Sequence, residues 1–294
     1  MVSDDGPGAA AGVRLLGSAD VRALAARYAV RPRKRRGQNF VIDPNTVRRI
    51  VRTAALDSDE VVLEVGPGLG SLTLGLLNAV ARVVAVEIDP VLASALPTTI
   101  GEYAPSRADR LDVLQADALG LTEPPVPAPT AIVANLPYNV AVPVVLHLLE
   151  LLPTARKGLV MVQLEVADRL VAPPGSRTYG IPSVKAAWYA ELRRAGQVSR
   201  SVFWPAPRVD SGLVEWRRRP SPASAVGRGL TFAVVDAAFA HRRKTIRAAL
   251  AACAGSAERA ESALRAAGID PSLRGEALSV SEFARIADAV AGLR

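Results

Sequence analysis

Val61-Val62-Leu63-Glu64-Val65-Gly66-Pro67-Gly68-Leu69-Gly70 is the stretch that decides the fold. An apolar run of this kind, with no alternation of polar residues, suits a strand covered by helices on both faces. The glycines after it let the backbone turn tightly and approach a ligand with no Cβ in the way. Ser71-Leu72-Thr73-Leu74 follows and opens a helix. Working outward, short apolar runs recur at 83–88, 111–114, 131–134 and 159–164, with helical stretches between them. That alternation predicts βαβ units and a doubly wound, Rossmann-like α/β domain. Upstream, Asp43-Pro44 reads as a helix N-cap with proline at the first helical position. Val47, Ile50, Val51 and Ala54 give that helix an apolar face, and Arg48, Arg49 and Arg52 fall toward solvent. Residues 122–129 are proline-rich and form a surface loop. Residues 217–230 read as a linker, after which the chain is Ala-rich and helical with no strand signal. The expected organisation is an N-terminal extension over 1–30, the α/β domain over 31–218 and a small helical domain over 219–294.

Thirty-six Lys and Arg against 28 Asp and Glu give a formal charge of +8 over 294 residues. Such a balance favours a polyanionic partner, because each cation that neutralises a phosphate releases condensed counterions. Two basic clusters stand out: the arm Arg31-Pro32-Arg33-Lys34-Arg35-Arg36, and Arg242, Arg243, Lys244 with Arg247. The second follows the apolar stretch 232–239 on what reads as one helix, so that Arg243 and Arg247 share a face at i, i+4 spacing. Cys253 is the single cysteine, which excludes an intrachain disulfide or a cysteine-based zinc site. His147 and His241 are the only histidines, so a multi-histidine metal site is excluded too, and no metal is expected. His147 lies in an apolar helix and reads as a packed residue. The first twelve residues lack the pattern of a signal peptide, and no apolar run spans a membrane, so a cytoplasmic location is expected.

The second strand ends in Glu87-Ile88-Asp89-Pro90, about twenty residues after Gly66, the distance at which an acid accepts ribose hydroxyls in such sheets. A dinucleotide loop wants Gly-x-Gly-x-x-Gly facing a pyrophosphate. Here the third glycine, Gly70, comes one residue early and Ser71 follows, a tighter form that suits S-adenosylmethionine, which carries no phosphate. Asp117, after the third strand, is placed to accept from the adenine amine of that cofactor.

The fourth strand ends in Asn135-Leu136-Pro137-Tyr138-Asn139, facing the same crevice as the glycine loop. An exocyclic adenine amine is a poor nucleophile because its lone pair is delocalised into the ring. Methylating it requires acceptors for its two hydrogens, so that the nitrogen turns its lone pair toward the methyl. The amide oxygen of Asn135 and the carbonyl of Leu136 supply these, Pro137 stiffens the turn, and Tyr138 offers a ring for the base to stack on. On this reading the Tyr138 ring is used and its hydroxyl is not.

Five segments occur in order: Gly37-Gln38-Asn39-Phe40-Val41, Glu64 to Gly70, Asn135 to Asn139, Phe203-Trp204-Pro205-Ala206-Pro207-Arg208-Val209-Asp210-Ser211 and His241-Arg242-Arg243-Lys244-Thr245. Together they resemble the KsgA-type small-subunit rRNA adenine dimethyltransferases, over residues 31 to 290. The Erm enzymes, which modify large-subunit rRNA and confer antibiotic resistance, are related, and a non-catalytic ribosome-assembly factor retaining the fold is a third reading. The resemblance implies dimethylation of N6 of adenines in 16S rRNA, in a small subunit or its precursor; the sequence does not set the oligomeric state, and a monomer is expected. It implies that Asn39 and the backbone at Val41 hold the methionine part of the cofactor, with Gly66, Gly68, Glu87, Asp117 and Asn135 around the rest. Phe203, flanked by prolines and expected in an exposed loop, would cover the target adenine opposite Tyr138. Two departures are visible: Val41 stands where leucine is common, and His241 where glutamine is common.

Overall fold

The computed structural model describes residues 12–31, 38–241 and 243–293. Its centre is a seven-stranded sheet. In chain order the strands and helices up to its last parallel strand are α1 (Ser18–Arg27), β1 (Phe40–Val41, outside this sheet), α2 (Pro44–Ala54), β2 (Val61–Val65), α3 (Ser71–Leu77), β3 (Arg82–Glu87), α4 (Pro90–Tyr103), β4 (Leu111–Gln115), β5 (Ala131–Asn135), α5 (Ala141–Leu151) and β6 (Lys157–Gln163). Then come α6 (Leu164–Leu170), α7 (Ile181–Tyr189), β7 (Ala190–Val198), β8 (Phe203–Trp204), β9 (Ser211–Arg218) and the helices α8 (Gly227–Ala240), α9 (Ile246–Ala254), α10 (Ala257–Ala266) and α11 (Val280–Gly292). The strand order is β4-β3-β2-β5-β6-β9-β7. β4 to β6 run parallel, and β9 joins β6 and β7 antiparallel. The chain is thus doubly wound, and its switch point lies between β2 and β5, where strand order reverses.

Strand residues alternate between two buried layers, as a period of two requires. Leu63, Val65, Val84 and Val86 pack with α5, α6 and α7 on one face. Val62, Val83 and Ala85 pack with α2, α3 and α4 on the other. The Asp43 cap is formed as expected: its carboxylate accepts from the N–H groups of Asn45 and Thr46, and Pro44 starts α2. Residues 12–30 dock on the second layer. Leu16, Val21, Leu24 and Ala25 are buried there, and Tyr103 donates from its hydroxyl to Asp20 at 3.0 Å.

Three expectations change. β7 and β9 are strands that the sequence pattern did not single out; β7, AELRRAGQV, is a polar edge strand with little apolar signal. The segment 217–230 is a linker only in its middle, since β9 runs to Arg218 and α8 starts at Gly227. Beyond it, α8 to α11 share one buried cluster with α7: Val234, Val235 and Phe283 are continuous with Val184 and Trp188. Phe232 packs edge-on to the Trp188 ring, and Lys185 pairs with Asp236 at 2.7 Å. Finally, Arg243 and Arg247 do not share a helix. α8 ends at Ala240, Lys244 N–H donates to His241 O in a turn, and Thr245 caps a new helix, α9.

Candidate active site

The carboxyl ends of β2, β3 and β5 open into a cavity of about 270 Å³. Asn39, Val41, Gly66, Gly68, Glu87, Asp117, Asn135, Leu136 and Tyr138 all line it. The glycine loop has the geometry that its composition demands. Gly66 and Gly68 sit at φ of +70° and +59°, where a side chain is strained. A Cβ on Gly68 would also lie 2.8 Å from the Phe40 ring. Glu87 ties this loop down, because one carboxylate oxygen accepts the Gly68 N–H at 3.1 Å and the other the Asp89 N–H at 2.9 Å. Each oxygen keeps a second acceptor position for a ribose hydroxyl. Burial pushes the Glu87 carboxyl upward, and the two backbone N–H groups pull it back.

Ser71, the residue that departs from the dinucleotide pattern, donates from its hydroxyl to Val41 O at 2.7 Å and fastens the first turn of α3 to β1. The Val41 carbonyl is therefore already engaged once. Asp117 is exposed at the rim, where one of its oxygens accepts the Leu119 N–H at 3.0 Å. Glu64, quoted above only as part of the strand, is a wall residue of the cavity. It is 1% exposed, and burial pushes its carboxyl up to about 8, with the charge of Glu87 adding to the shift. Its Oε2 is buried with no hydrogen-bond partner in the protein. These acceptors suit a ligand that brings hydroxyls and an ammonium group, as S-adenosylmethionine does.

Across the crevice, Asn135 Nδ2 donates to Asn39 O at 3.1 Å. That bond commits the amide nitrogen and leaves Oδ1 as the acceptor on offer. The N–H of Leu136 donates to Met161 O at 3.0 Å, which pins this backbone to β6. Asn135 O and Pro137 Cδ lie 3.9 Å from where a Cβ on Gly66 would stand, so the two loops face each other closely. Tyr138 is half-buried, and its hydroxyl lies 2.7 Å from Ser211 Oγ.

Phe203 is not where the resemblance put it. It is 3% exposed, in β8, paired with Val41 of β1, and is not among the residues that line the cavity. Pairing with β1 turns the ring into the apolar layer under α2, where burial is worth more than exposure beside solvent. Its neighbour Trp204 stacks on Phe40, a cavity wall, with ring centres 6.3 Å apart, and Arg22 covers the same indole. The basic residues divide as well. Arg33, Lys34, Arg35, Arg36 and Arg242 lie outside the described residues. Arg243 and Lys244 are exposed. Arg247 is drawn into ion pairs with Glu261 at 2.9 Å and Glu258 at 3.9 Å. His147 is a packed residue whose ring bonds Leu121 O at 2.9 Å. Among the described residues, no group of three or more His, Cys, Asp or Glu is placed to hold a metal, and no helix is long and apolar enough to cross a membrane.

A glycine loop and an acid at the ends of adjacent parallel strands, faced by an Asn-Leu-Pro-Tyr turn, define an S-adenosylmethionine-dependent methyltransferase. Comparison with known proteins makes this specific. The family model for ribosomal RNA adenine dimethylase matches residues 29–291, and the chain belongs to that family. It is 66% identical to the ribosomal RNA small subunit methyltransferase A of Thermobifida fusca, over 95% of this chain and 97% of that one. The protein of the same description from Streptomyces coelicolor is 65% identical, over 93% and 96%. Among solved structures, a dimethyladenosine transferase from Plasmodium falciparum superposes with a TM-score of 0.71 at 21% identity, over 84% of this chain and 95% of that one. The 23S rRNA methyltransferase ErmE does so at 0.63 and 30%, over 86% and 100%.

Proposed function

We propose that the protein transfers methyl groups from S-adenosylmethionine to N6 of adenines in 16S rRNA, dimethylating adjacent adenines in a small ribosomal subunit or its precursor. It works as a monomer without a metal, with residues 31–218 as the catalytic part and 219–294 as an RNA-binding part. The observation that carries the reading is Asn135 and Tyr138 in one cavity with the glycine loop and Glu87. The donor, when bound, supplies an electrophilic methyl. Glu87 would hold its ribose, Asp117 its adenine, and Asn39 with the cavity wall near Val41 its methionine end. Oδ1 of Asn135 and the carbonyl of Leu136 accept the two hydrogens of the target amine, which turns its lone pair into line. The lone pair so aimed would take the methyl that the donor supplies, and the nitrogen would then give up one proton to water. This is catalysis by positioning and fixed dipoles. Bases unstacked from single-stranded or loop RNA would reach the site on the Tyr138 ring.

The Erm-type alternative is disfavoured by the 66% and 65% identity to small-subunit enzymes, against 30% to ErmE. The test is to incubate the protein with labelled methyl donor and separate ribosomal subunits lacking these modifications, then map the labelled nucleotides. Label in adjacent adenines of 16S rRNA is expected. Label in 23S rRNA would favour the Erm-type reading, and cofactor binding without transfer would leave an assembly factor.

A further inference from the structure

Ser211 stands at the start of β9 and is fully buried. Its register partners are Gln163 on β6 and Val198 on β7, so its backbone is held from both sides. The residue before it is held as firmly. The Asp210 carboxylate accepts from Gln197 Nε2 at 2.8 Å and from the Arg200 N–H at 2.9 Å, and Asp210 O accepts the Leu164 N–H at 3.0 Å. Tyr138, by contrast, sits in a loop between β5 and α5. The hydrogen bond between its hydroxyl and Ser211 Oγ, at 2.7 Å, reaches past β6 to β9. Burial pushes the Tyr138 phenol above its ordinary range, so the hydroxyl remains protonated and available for this bond.

We propose that Ser211 is a positioning residue for methyl transfer: through Tyr138 it fixes the place of the ring on which the target adenine stacks. This rests on the reading of Tyr138 as the stacking platform. It departs from the expectation that only the ring matters. A phenyl ring in a loop is free to swing about its Cα–Cβ bond, whereas a hydroxyl tied to a buried strand holds the far end of the ring in place. The adenine amine must meet Asn135 Oδ1 and the methyl group together, and a displacement of about 1 Å at such a centre costs on the order of 100-fold in rate.

The test uses the full chain carrying Ser211→Ala, Tyr138→Phe or both, with unmethylated small subunits and saturating labelled donor in single-turnover reactions. Each single variant is expected to be slowed about tenfold, within the range for a misplaced reacting group. The double variant should be no slower than the slower single one, because both remove the same bond. Donor affinity by calorimetry, apparent affinity for the subunit and the unfolding midpoint should all stay near wild type. A Ser211→Ala protein that loses donor affinity or stability beside an unimpaired Tyr138→Phe protein would make Ser211 a packing residue and overturn the proposal. Slowing that multiplies in the double variant would overturn it as well. Asn135→Ala separates the layers of the argument: if it is impaired while both tether variants match wild type, only the tether fails, and if it is unimpaired the reading of the site fails.

Discussion

On the cofactor side of the cavity, Gly66, Gly68, Glu87 and Asp89 belong to one βαβ unit and are bonded to each other or to neighbouring strands. On the target side, the Asn135–Tyr138 turn and Ser211 come from separate segments, and single hydrogen bonds across the fold tie that turn to Ser211 and to Asn39. The first wall is rigid by local chemistry: a strand, a turn that needs glycine, and an acid that accepts the turn's N–H. The second depends on tertiary structure to bring its parts together. Substitutions on the local wall should therefore act on donor affinity, and those on the assembled wall on rate.

The largest effect expected is at Asn135. Asn135→Ala removes the proposed acceptor for the target amine together with the bond to Asn39, and should slow single-turnover transfer about 100- to 1000-fold. RNA affinity should change little, and a wild-type rate would break the assignment of the target wall. Glu87→Ala tests the other wall. Losing hydrogen bonds to a charged group costs roughly 1.5–3 kcal/mol, so calorimetry should show donor affinity weaker by at least about tenfold. If affinity is unchanged, Glu87 serves the loop alone.

A third expectation sharpens the comparison through pH. The Glu64 carboxyl is held up to about 8 against an ordinary 4.5, mainly by burial. The folded protein then binds a proton that the unfolded chain has released, so stability falls as pH rises from about 4.5 to about 8 and levels off above that. Glu64→Gln should remove this slope in the donor-free protein. Thermal unfolding between pH 5 and 9 checks it, and parallel curves for the two proteins would refute it. The smallest effect concerns the basic surface. Arg243→Ala and Lys244→Ala should each flatten the salt dependence of RNA binding by about one in log–log slope. Arg247→Ala should do less, because Glu261 already holds that guanidinium. An equal change at Arg247 would mean that the ion pair opens when RNA binds.

The same contrast explains what could be read from the sequence. The parallel strands carry nearly continuous apolar runs, and the glycine loop, Glu87 and Asn135–Tyr138 follow them at fixed offsets, so local pattern was enough. Ser211 and Glu64 gave no such signal, since a serine at a strand start and an acid within an apolar strand acquire meaning only from what lies beside them in space. Phe203 was misplaced because prolines suggested an exposed loop, whereas pairing of β8 with β1 decides its burial. The end of α8 at Ala240 and the start of α9 at Ile246 left one local sign, Thr245, whose hydroxyl accepts the Ala248 N–H. The charge run around it concealed that cap. β7 was missed because only the residues at its two ends, Ala190 and Val198, are fully buried, so the edge strand carries little apolar pattern.

The short ribbon of β1 and β8 has a consequence for synthesis. Phe40 and Val41 form the near wall of the cavity, yet their strand partners are Trp204 and Phe203, and the Ile42 N–H is taken by Val202 O. A nascent chain that has emerged only through β6 already carries the glycine loop, Glu87 and Asn135. It still lacks the strand that closes the wall in front of them and the serine that steadies Tyr138. Competence to bind donor and to act on RNA should therefore arise late, after the segment around 202–211 has left the ribosome.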